Sequence, residues 1–408
     1  MGGFSAERHI SVESGRNIYQ KLSSSAKYDP TPIFLSGSND NNRLFIIPIN
    51  LILKDNADDI HSSLISTSKQ HEYIQNIRNE ATYVLSEYLD GTIVEPIEID
   101  YKFLANKFDF VFIALHGHPG EDGTMQRILD RYKIPYNGSG VEAASITMNK
   151  YKTNQLLKEN GFCIAEQILL HKDKWIINKD ACIASIEQKL EYPLIAKPVD
   201  DGCSAAVLKI ENRQSLLSFA EIIFRTQDEV LAIHRNMFGL RPNVELPKKD
   251  QFIVEALIQK GNANKFIEIT CGLLSHMNDS SGIVYEIFNP SEVLVSDGIL
   301  SLEEKFLSGE GKNITPARFS STLEINNDMI EKVKKKLELA ARLLNIEGYA
   351  RIDAFVKIYD KDIEVWIIEV NSLPAMTPAT CIFHQCALNG YTPLGFIDNI
   401  IQYGLGKI

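Results

Sequence analysis

The stretch Trp366-Ile367-Ile368-Glu369-Val370-Asn371-Ser372-Leu373-Pro374, read with Arg351-Ile352-Asp353 before it, decides how this chain is organised. Both segments lie in apolar runs that suit β-strands, and a strand turns successive side chains to opposite faces. Glu369 and Asn371 therefore share one face, and Arg351 and Asp353 share a face of their own strand. Two carboxylates and an amide oxygen can converge there. A lone E-x-N pattern more often marks solvated strand charges, but the apolar runs around both motifs argue against that.

An oxygen-only set suits a hard cation, and Mg2+ in particular is usually held by one or two carboxylates together with substrate phosphates. That points to ATP chemistry. An arginine two residues before the metal-binding aspartate faces the same site, where its fork of donors can hold a phosphoryl group or a developing oxyanion.

At 408 residues the chain exceeds a single ordinary core, so two or three domains are expected. With 44% hydrophobic and 23% charged residues it reads as globular, and a net charge of -11 gives no support for a nucleic-acid surface. No apolar run approaches the roughly eighteen residues of a membrane span, and the opening MGGFSAERHIS lacks the apolar core of a signal peptide. The expectation is a cytoplasmic protein with small-molecule substrates, no nucleic-acid partner and no membrane partner. Six cysteines in so long a chain do not make a disulfide scaffold. Cys381, His384 and Cys386 lie close together, but a fourth ligand and the C-x-x-C spacing of a zinc site are missing, which favours packed thiols.

Asp109-Phe110-Val111-Phe112-Ile113-Ala114-Leu115 is continuously apolar after its first residue, the mark of a strand buried on both faces in a parallel sheet. It runs into the glycine-rich turn His116-Gly117-His118-Pro119-Gly120-Glu121-Asp122-Gly123 and a helix near Thr124 to Tyr132. Ligands collect at such carboxyl ends of strands. Between residues 30 and 100 a polar loop, a strand near Leu44 to Ile49 and an amphipathic helix around Glu72 to Leu89 are expected. Lys150 to Asn160 reads as a helix stopped by Gly161, and Tyr192 to Pro198 as a strand carrying an inward Lys197. Asp200-Asp201-Gly202-Cys203-Ser204-Ala205-Ala206 is small enough for backbone N–H groups to approach phosphate, although it is not a Walker A loop. Phe252 to Ile258 and Ile267 to Thr270 read as strands, and Ile330, Val333, Leu337, Ala341 and Leu344 mark the core face of a helix from about Asp328.

Taken in order, these pieces resemble the D-alanine-D-alanine ligases of the ATP-grasp superfamily over nearly the whole chain. The stretches that carry the resemblance are GGFSAERHISVESG, ALHGHPGEDGTMQ, IPYNGSGVEAASITMNKYKTN, PLIAKPVDDGCS, EKFL, NITPA, GYARIDAF and IIEVNSLPAMTPAT. The fold this implies is α/β in three domains: an N-terminal parallel-sheet domain over 1–139 on the substrate side, then a nucleotide clamp formed by a central domain over 140–254 and a C-terminal domain over 255–408. The implied activity is ATP-dependent joining of two D-alanines for peptidoglycan precursor synthesis, by way of an acyl phosphate that the second substrate's amine attacks.

Carried onto this chain, the resemblance gives Glu7 the first substrate's ammonium, with His116 near that substrate, and Lys150 and Lys197 the ATP phosphates. Glu255, Ala256, Leu257 and Ile258 would form the adenine hinge, with Glu268 near the ribose. Asp353, Glu369 and Asn371 would bind two Mg2+ ions, for which Mn2+ could substitute. Arg351 and the N–H of Ala375 would steady the oxyanion, Lys305 would reach the γ-phosphate, and Thr380 would meet the second substrate's carboxylate. Ser204 would join a loop-closing network with Glu7, and the resemblance also implies a homodimer. Phosphoryl transfer to a carboxylate brings two anions together, so a site of this kind must supply cations and exclude water, which agrees with that division of labour.

Several positions depart from the family's pattern. Gly2 and Gly3 follow Met1 directly where a short apolar strand is usual, so the expectation is either a chain that starts late or a first domain without a central strand. Cys203, Ala206, Ala375 and Arg127 replace usual Ser or Gly residues, and the segments 30–100 and 228–250 are longer than usual. Phe306 stands where dipeptide-forming members usually hold a tyrosine, which opens D-lactate as a second substrate. The alternatives are therefore a ligase making a depsipeptide or another dipeptide, and an ATP-binding relative without turnover.

Overall fold

Among the described residues, the apolar runs assemble into three separate sheets in a computed structural model of the protein. The structure describes residues 1–54, 56–65, 72–88, 93, 95–201, 206–241, 244–278, 280, 282–294, 313–360 and 362–407.

In the N-terminal part, the helix Arg8–Ser23 precedes β1 (Ile33–Gly37), β2 (Asn42–Ile46) and β3 (Ile97–Ile99), which pair antiparallel in the order β1-β2-β3. Among the described residues, the expected parallel sheet is reduced to two isolated parallel bridges, Gly2 with Leu35 and Val111 with Tyr136. The run Asp109 to Leu115 is consequently not a full strand, although Ile113, Ala114 and Leu115 are buried as its apolar character requires. The physical reason is a gap: an apolar cavity of about 690 Å3, lined by Leu35, Leu44, Phe112, Ala114 and Leu129 among others, lies between β1 and this run. Among the described residues no strand crosses it to pair with both edges. Gly2 is held at φ +88 with Phe34 only 2.5 Å from where a Cβ would stand, so the chain start can lie against β1 only as glycine.

Among the described residues only Met1 and Gly3 meet the edge of β1 away from β2, through Met1 N to the Ile33 carbonyl, Leu35 N to the Met1 carbonyl and Gly3 N to the Leu35 carbonyl, and beyond them apolar surface faces the cavity. Hydrogen exchange is therefore expected to show β1, β2 and β3 opening well before the third sheet described below. Equal protection of the two would overturn that expectation.

The central part places β4 (Gln167–His171), β5 (Leu194–Pro198), β6 (Leu208–Ile210) and β7 (Gln251–Ala256) in the antiparallel order β4-β7-β5-β6. Its core is aromatic. Phe252 is fully buried, with ring centroids 5.0 Å from Phe224 and 5.1 Å from Phe219. The third sheet takes β8 (Lys265–Asn278), β9 (Gly282–Ile287), β10 (Ser291–Val293), β11 (Asn313–Ile314), β12 (Tyr349–Tyr359) and β13 (Asp362–Asn371), ordered β11-β10-β8-β12-β13 with β9 on β8. The helix Leu323–Leu343 lays Ile330, Val333, Leu337 and Ala341 on it, all buried at the expected helical spacing. The helix Pro393–Leu405 returns to the N-terminal part, where Phe396, Ile397, Ile400 and Ile401 share a core with Ile18, Leu22 and Leu104. Among the described residues no helix is long and apolar enough to cross a membrane.

Candidate active site

The β12–β13 hairpin sets Arg351 directly across from Asn371 and Asp353 directly across from Glu369. Cross-strand partners lie on the same face of a sheet, so all four side chains point to one side. A bulge follows at once, between Asp353 and Ala354, and bulges of this kind re-aim side chains at the end of a pairing. Arg351 and Asp353 are both buried and meet fork to fork, Nε donating to Oδ1 at 3.0 Å and Nη2 to Oδ2 at 3.1 Å. Burial alone would lower the guanidinium's pKa; the Asp353 carboxylate outweighs it and the pKa rises. The Asn371 amide has a buried Nδ2 without a partner.

Lys150 caps this group from the N-terminal end of the helix Lys150–Glu159. Its Nζ donates to the Asp201 carbonyl at 2.5 Å and lies 3.5 Å from Glu369 Oε2. Burial would lower its pKa, but Glu369, Asp201, Glu7 and Glu121 together raise it. Glu121, Thr147, Lys150, Glu369, Asn371 and Ser372 line one small cavity of about 10 Å3. The much larger N-terminal cavity is lined by none of the residues assigned to chemistry.

Glu7 lies just ahead of the helix Arg8–Ser23, is buried, and keeps Oε2 without a hydrogen-bond partner. Burial first, and then the carboxylates of Glu121 and Asp201, raise its pKa well above the ordinary range, with Lys150 opposing. A buried oxygen in that position calls for a cation. His116 is held by serines of the same helix: its Nε2 is 2.8 Å from Ser14 Oγ and its N–H donates to Ser11 Oγ at 2.9 Å. Ser14 Oγ also accepts the Met376 N–H, and Asn17 Nδ2 donates to the Met376 carbonyl at 2.7 Å. The N-terminal helix thus fixes the loop after β13. Ala375 in that loop is buried against Ile10, and Thr380 is buried just before the helix Cys381–Leu388.

Further off, Lys197 on β5 is buried and donates to Glu255 Oε1 at 2.7 Å, while Gln167 donates to Glu255 Oε2 at 2.8 Å. β7 ends at Ala256, and half-buried Leu257 and Ile258 lead from the central sheet toward the third. Glu268 lies on β8 opposite Phe355. Ser204, Lys305 and Phe306 lie outside the described residues. Along Cys381–Leu388, His384 is exposed while Cys386 is buried and donates to the Phe383 carbonyl, so these side chains do not face one point. Among the described residues no group of three His, Cys, Asp or Glu surrounds a common metal position.

The residues the sequence reading passed over are Glu121, Asp201, Ser11, Ser14 and Asn17. A signal existed for the helix residues, because polar side chains three apart on an otherwise apolar buried face need partners.

Comparison with known proteins fits this geometry. Among solved structures, the VanG D-Ala:D-Ser ligase from Enterococcus faecalis superposes with a TM-score of 0.65 at 20% identity, covering 99% of this chain and 97% of that one. The D-alanine–D-alanine ligase from Bacillus anthracis complexed with ATP gives 0.58 at 20% identity, covering 100% and 96%. These likenesses define the fold as ATP-grasp. The models described as D-ala D-ala ligase N-terminus and D-ala D-ala ligase C-terminus match residues 1–139 and residues 156–241 with 243–402, so the chain belongs to the D-alanine–D-alanine ligase family. A D-alanine–D-alanine ligase from Leptospira interrogans serogroup Icterohaemorrhagiae serovar Lai (strain 56601) is 31% identical over 300 residues, 73% of this chain and 74% of the relative. One from Natranaerobius thermophilus is 26% identical over 406 residues, 100% of this chain and 93% of the relative.

Proposed function

We propose that this chain joins two D-alanines with ATP, through an acyl phosphate on the first, to supply peptidoglycan precursors for cell-wall synthesis in the cytoplasm. The observation that carries this reading is one convergence: Arg351, Asp353, Glu369 and Asn371 at the end of the β12–β13 hairpin, Lys150 against Glu369, and the unpartnered Glu7 oxygen nearby. Family membership supports it.

Glu7 accepts the ammonium of the first D-alanine, replacing a missing partner. Lys150, donating to the Asp201 carbonyl, and Lys197 on β5 offset phosphate charge. The carboxylates of Asp353 and Glu369 and the amide of Asn371 form an all-oxygen donor set that fits Mg2+, and bound there Mg2+ would neutralise the phosphates and polarise the transferred group. Arg351 and the Ala375 N–H steady the oxyanion as the second amine attacks. The Ala375 N–H is aimed by the bonds that Ser14 and Asn17 make to Met376. Thr380 meets the second carboxylate, and residues 255–258 with Glu268 hold the nucleoside. A homodimer belongs to the same reading, and light scattering at the monomer mass would remove it.

Phosphate release from ATP with and without D-alanine tests the proposal. Release that depends on D-alanine is expected, and its absence would favour an ATP-binding relative without turnover. Because Phe306 lacks the usual hydroxyl, product analysis with D-alanine and D-lactate together is expected to show some depsipeptide, increasing as pH falls and the amine stays protonated. A lost hydrogen bond is worth roughly 0.5–1.5 kcal/mol, enough to shift this choice several-fold. No depsipeptide at any pH, with Phe306→Tyr leaving the ratio unchanged, would remove Phe306 from specificity.

The charge at Glu7 gives a second test. A carboxyl whose pKa is raised in the folded protein stabilises it below the unfolded pKa, and that contribution is lost as pH rises through the folded value. Glu7→Gln is therefore expected to melt higher than the parent at neutral pH, the difference vanishing toward pH 4, while the KM for the first D-alanine rises at least tenfold. A melting difference that is flat with pH would contradict the assignment.

A further inference from the structure

The segment 244–250, inside the long stretch 228–250, carries two side chains that reach other parts of the protein. Glu245 takes both Arg8 Nη1 at 3.1 Å and Nη2 at 2.9 Å, and Arg8 also donates through Nε to Asp58 at 2.6 Å. Lys249 Nζ lies 2.9 Å from Asp200 Oδ1 and 3.9 Å from Asp201 Oδ2. The other Asp200 oxygen is 3.6 Å from Nε2 of His118, whose Nδ1 is 2.7 Å from Asp122. Asp122 is itself fixed by the Thr124 N–H and hydroxyl at 2.9 Å and 2.8 Å. The backbone of the segment is anchored, since Arg225 donates to the carbonyls of Leu246 at 2.5 Å and Pro247 at 2.8 Å.

The result is an alternating row of charges, Asp122, His118, Asp200, Lys249, Asp201, running from the N-terminal loop 116–123 to the turn after β5. That turn is the one whose Asp201 carbonyl receives Lys150. We propose that residues 244–250 form an interdomain latch, in which Glu245 holds Arg8 while Lys249 and His118 together hold Asp200, positioning the Asp200–Asp201 turn and Lys150 for the nucleotide phosphates. The proposal rests on the ATP-dependent reading above for what the turn receives, and its residues act on the site through others.

Charge is what holds the row together. Asp122 first, and Asp200 next, raise the His118 pKa to about 9 against burial and Lys249. Burial alone would raise Asp200, yet His118 and Lys249 hold it well below the ordinary range. The groups facing the His118 ring are Asp122, Asp200, Asp201 and Lys249. A histidine with a raised folded pKa contributes fully below its unfolded value and is lost as pH rises through about 9.

The test uses the full chain with His118→Ala, Lys249→Ala, Glu245→Ala and the double His118→Ala/Lys249→Ala. ADP binding by calorimetry, which needs no turnover, is measured beside KM for ATP and kcat. Each single change is expected to weaken ADP binding and raise KM for ATP by about fivefold or more, with kcat at saturating ATP within about twofold. The double should fall short of the product of the singles, because both hold the same carboxylate. In the parent, KM for ATP should rise through about pH 9, and in His118→Ala that rise should disappear. Unchanged ADP affinity in variants that melt normally would overturn the latch. So would a lower melting temperature with unchanged affinity, or an alkaline rise that survives His118→Ala. Loss of D-alanine-dependent phosphate release in the parent would instead strike at the function alone.

Discussion

Glu369→Gln is expected to abolish ligation while the protein folds and melts as the parent does. Glu369 sits directly across the hairpin from Asp353 and 3.5 Å from Lys150, among the carboxylates of Glu7, Glu121 and Asp201. Replacing it with the isosteric amide removes one negative charge from the proposed donor set for Mg2+ and from the partner set of Lys150, without leaving a hole. The fold should not suffer, because like charges already crowd this pocket and the amide relieves them. Turnover, the Mg2+ concentration for half-maximal rate and the melting curve should therefore separate cleanly: no detectable product, a lost or much weakened Mg2+ response, and a melting temperature at or above the parent's. Parent-like turnover would sink the metal assignment. A variant that fails to melt cooperatively would show Glu369 to be a structural residue instead.

The hairpin was legible because its signal is local. Period-two alternation places Glu369 with Asn371 and Arg351 with Asp353, and apolar neighbours exclude a solvated strand. Lys197 was legible for the same reason, as an inward cation in an apolar run. What the sequence could not show is whom these groups meet before substrate arrives: Asp353 engaged by Arg351, and Lys197 by Glu255. Glu121 and Asp201, which crowd Glu7, lie in glycine-rich turns, where no periodicity reports direction. The run Asp109 to Leu115 misled for a different reason. Its apolar character is that of a strand covered on both faces, but pairing also requires a neighbour along each edge, and that is a property of distant chain. Glu245 and Lys249 were silent because their partners, Arg8 and Asp200, are remote in sequence.

Arg351→Lys is expected to lose on the order of a hundredfold or more in turnover, although charge is conserved. The guanidinium holds both oxygens of Asp353 at 3.0 Å and 3.1 Å, and both side chains are buried. A lysine brings the same charge as a point and without the planar fork, so it can satisfy one of those oxygens at a time. Two consequences follow from one change. The Asp353 carboxylate, no longer held flat, would be misdirected in its proposed role as a metal ligand, and the donors proposed to face a developing tetrahedral centre would be reduced to one mobile ammonium. Breaking a buried pair outright is strongly destabilising, because it strands a charge, but the lysine leaves that charge compensated. The melting temperature should therefore drop only modestly while kcat collapses. Retention of more than half the parent rate would make Arg351 a structural partner of Asp353 and nothing more. A fall in kcat matched by loss of cooperative melting would lead to the same conclusion, and Arg351→Met would then behave no worse than the lysine.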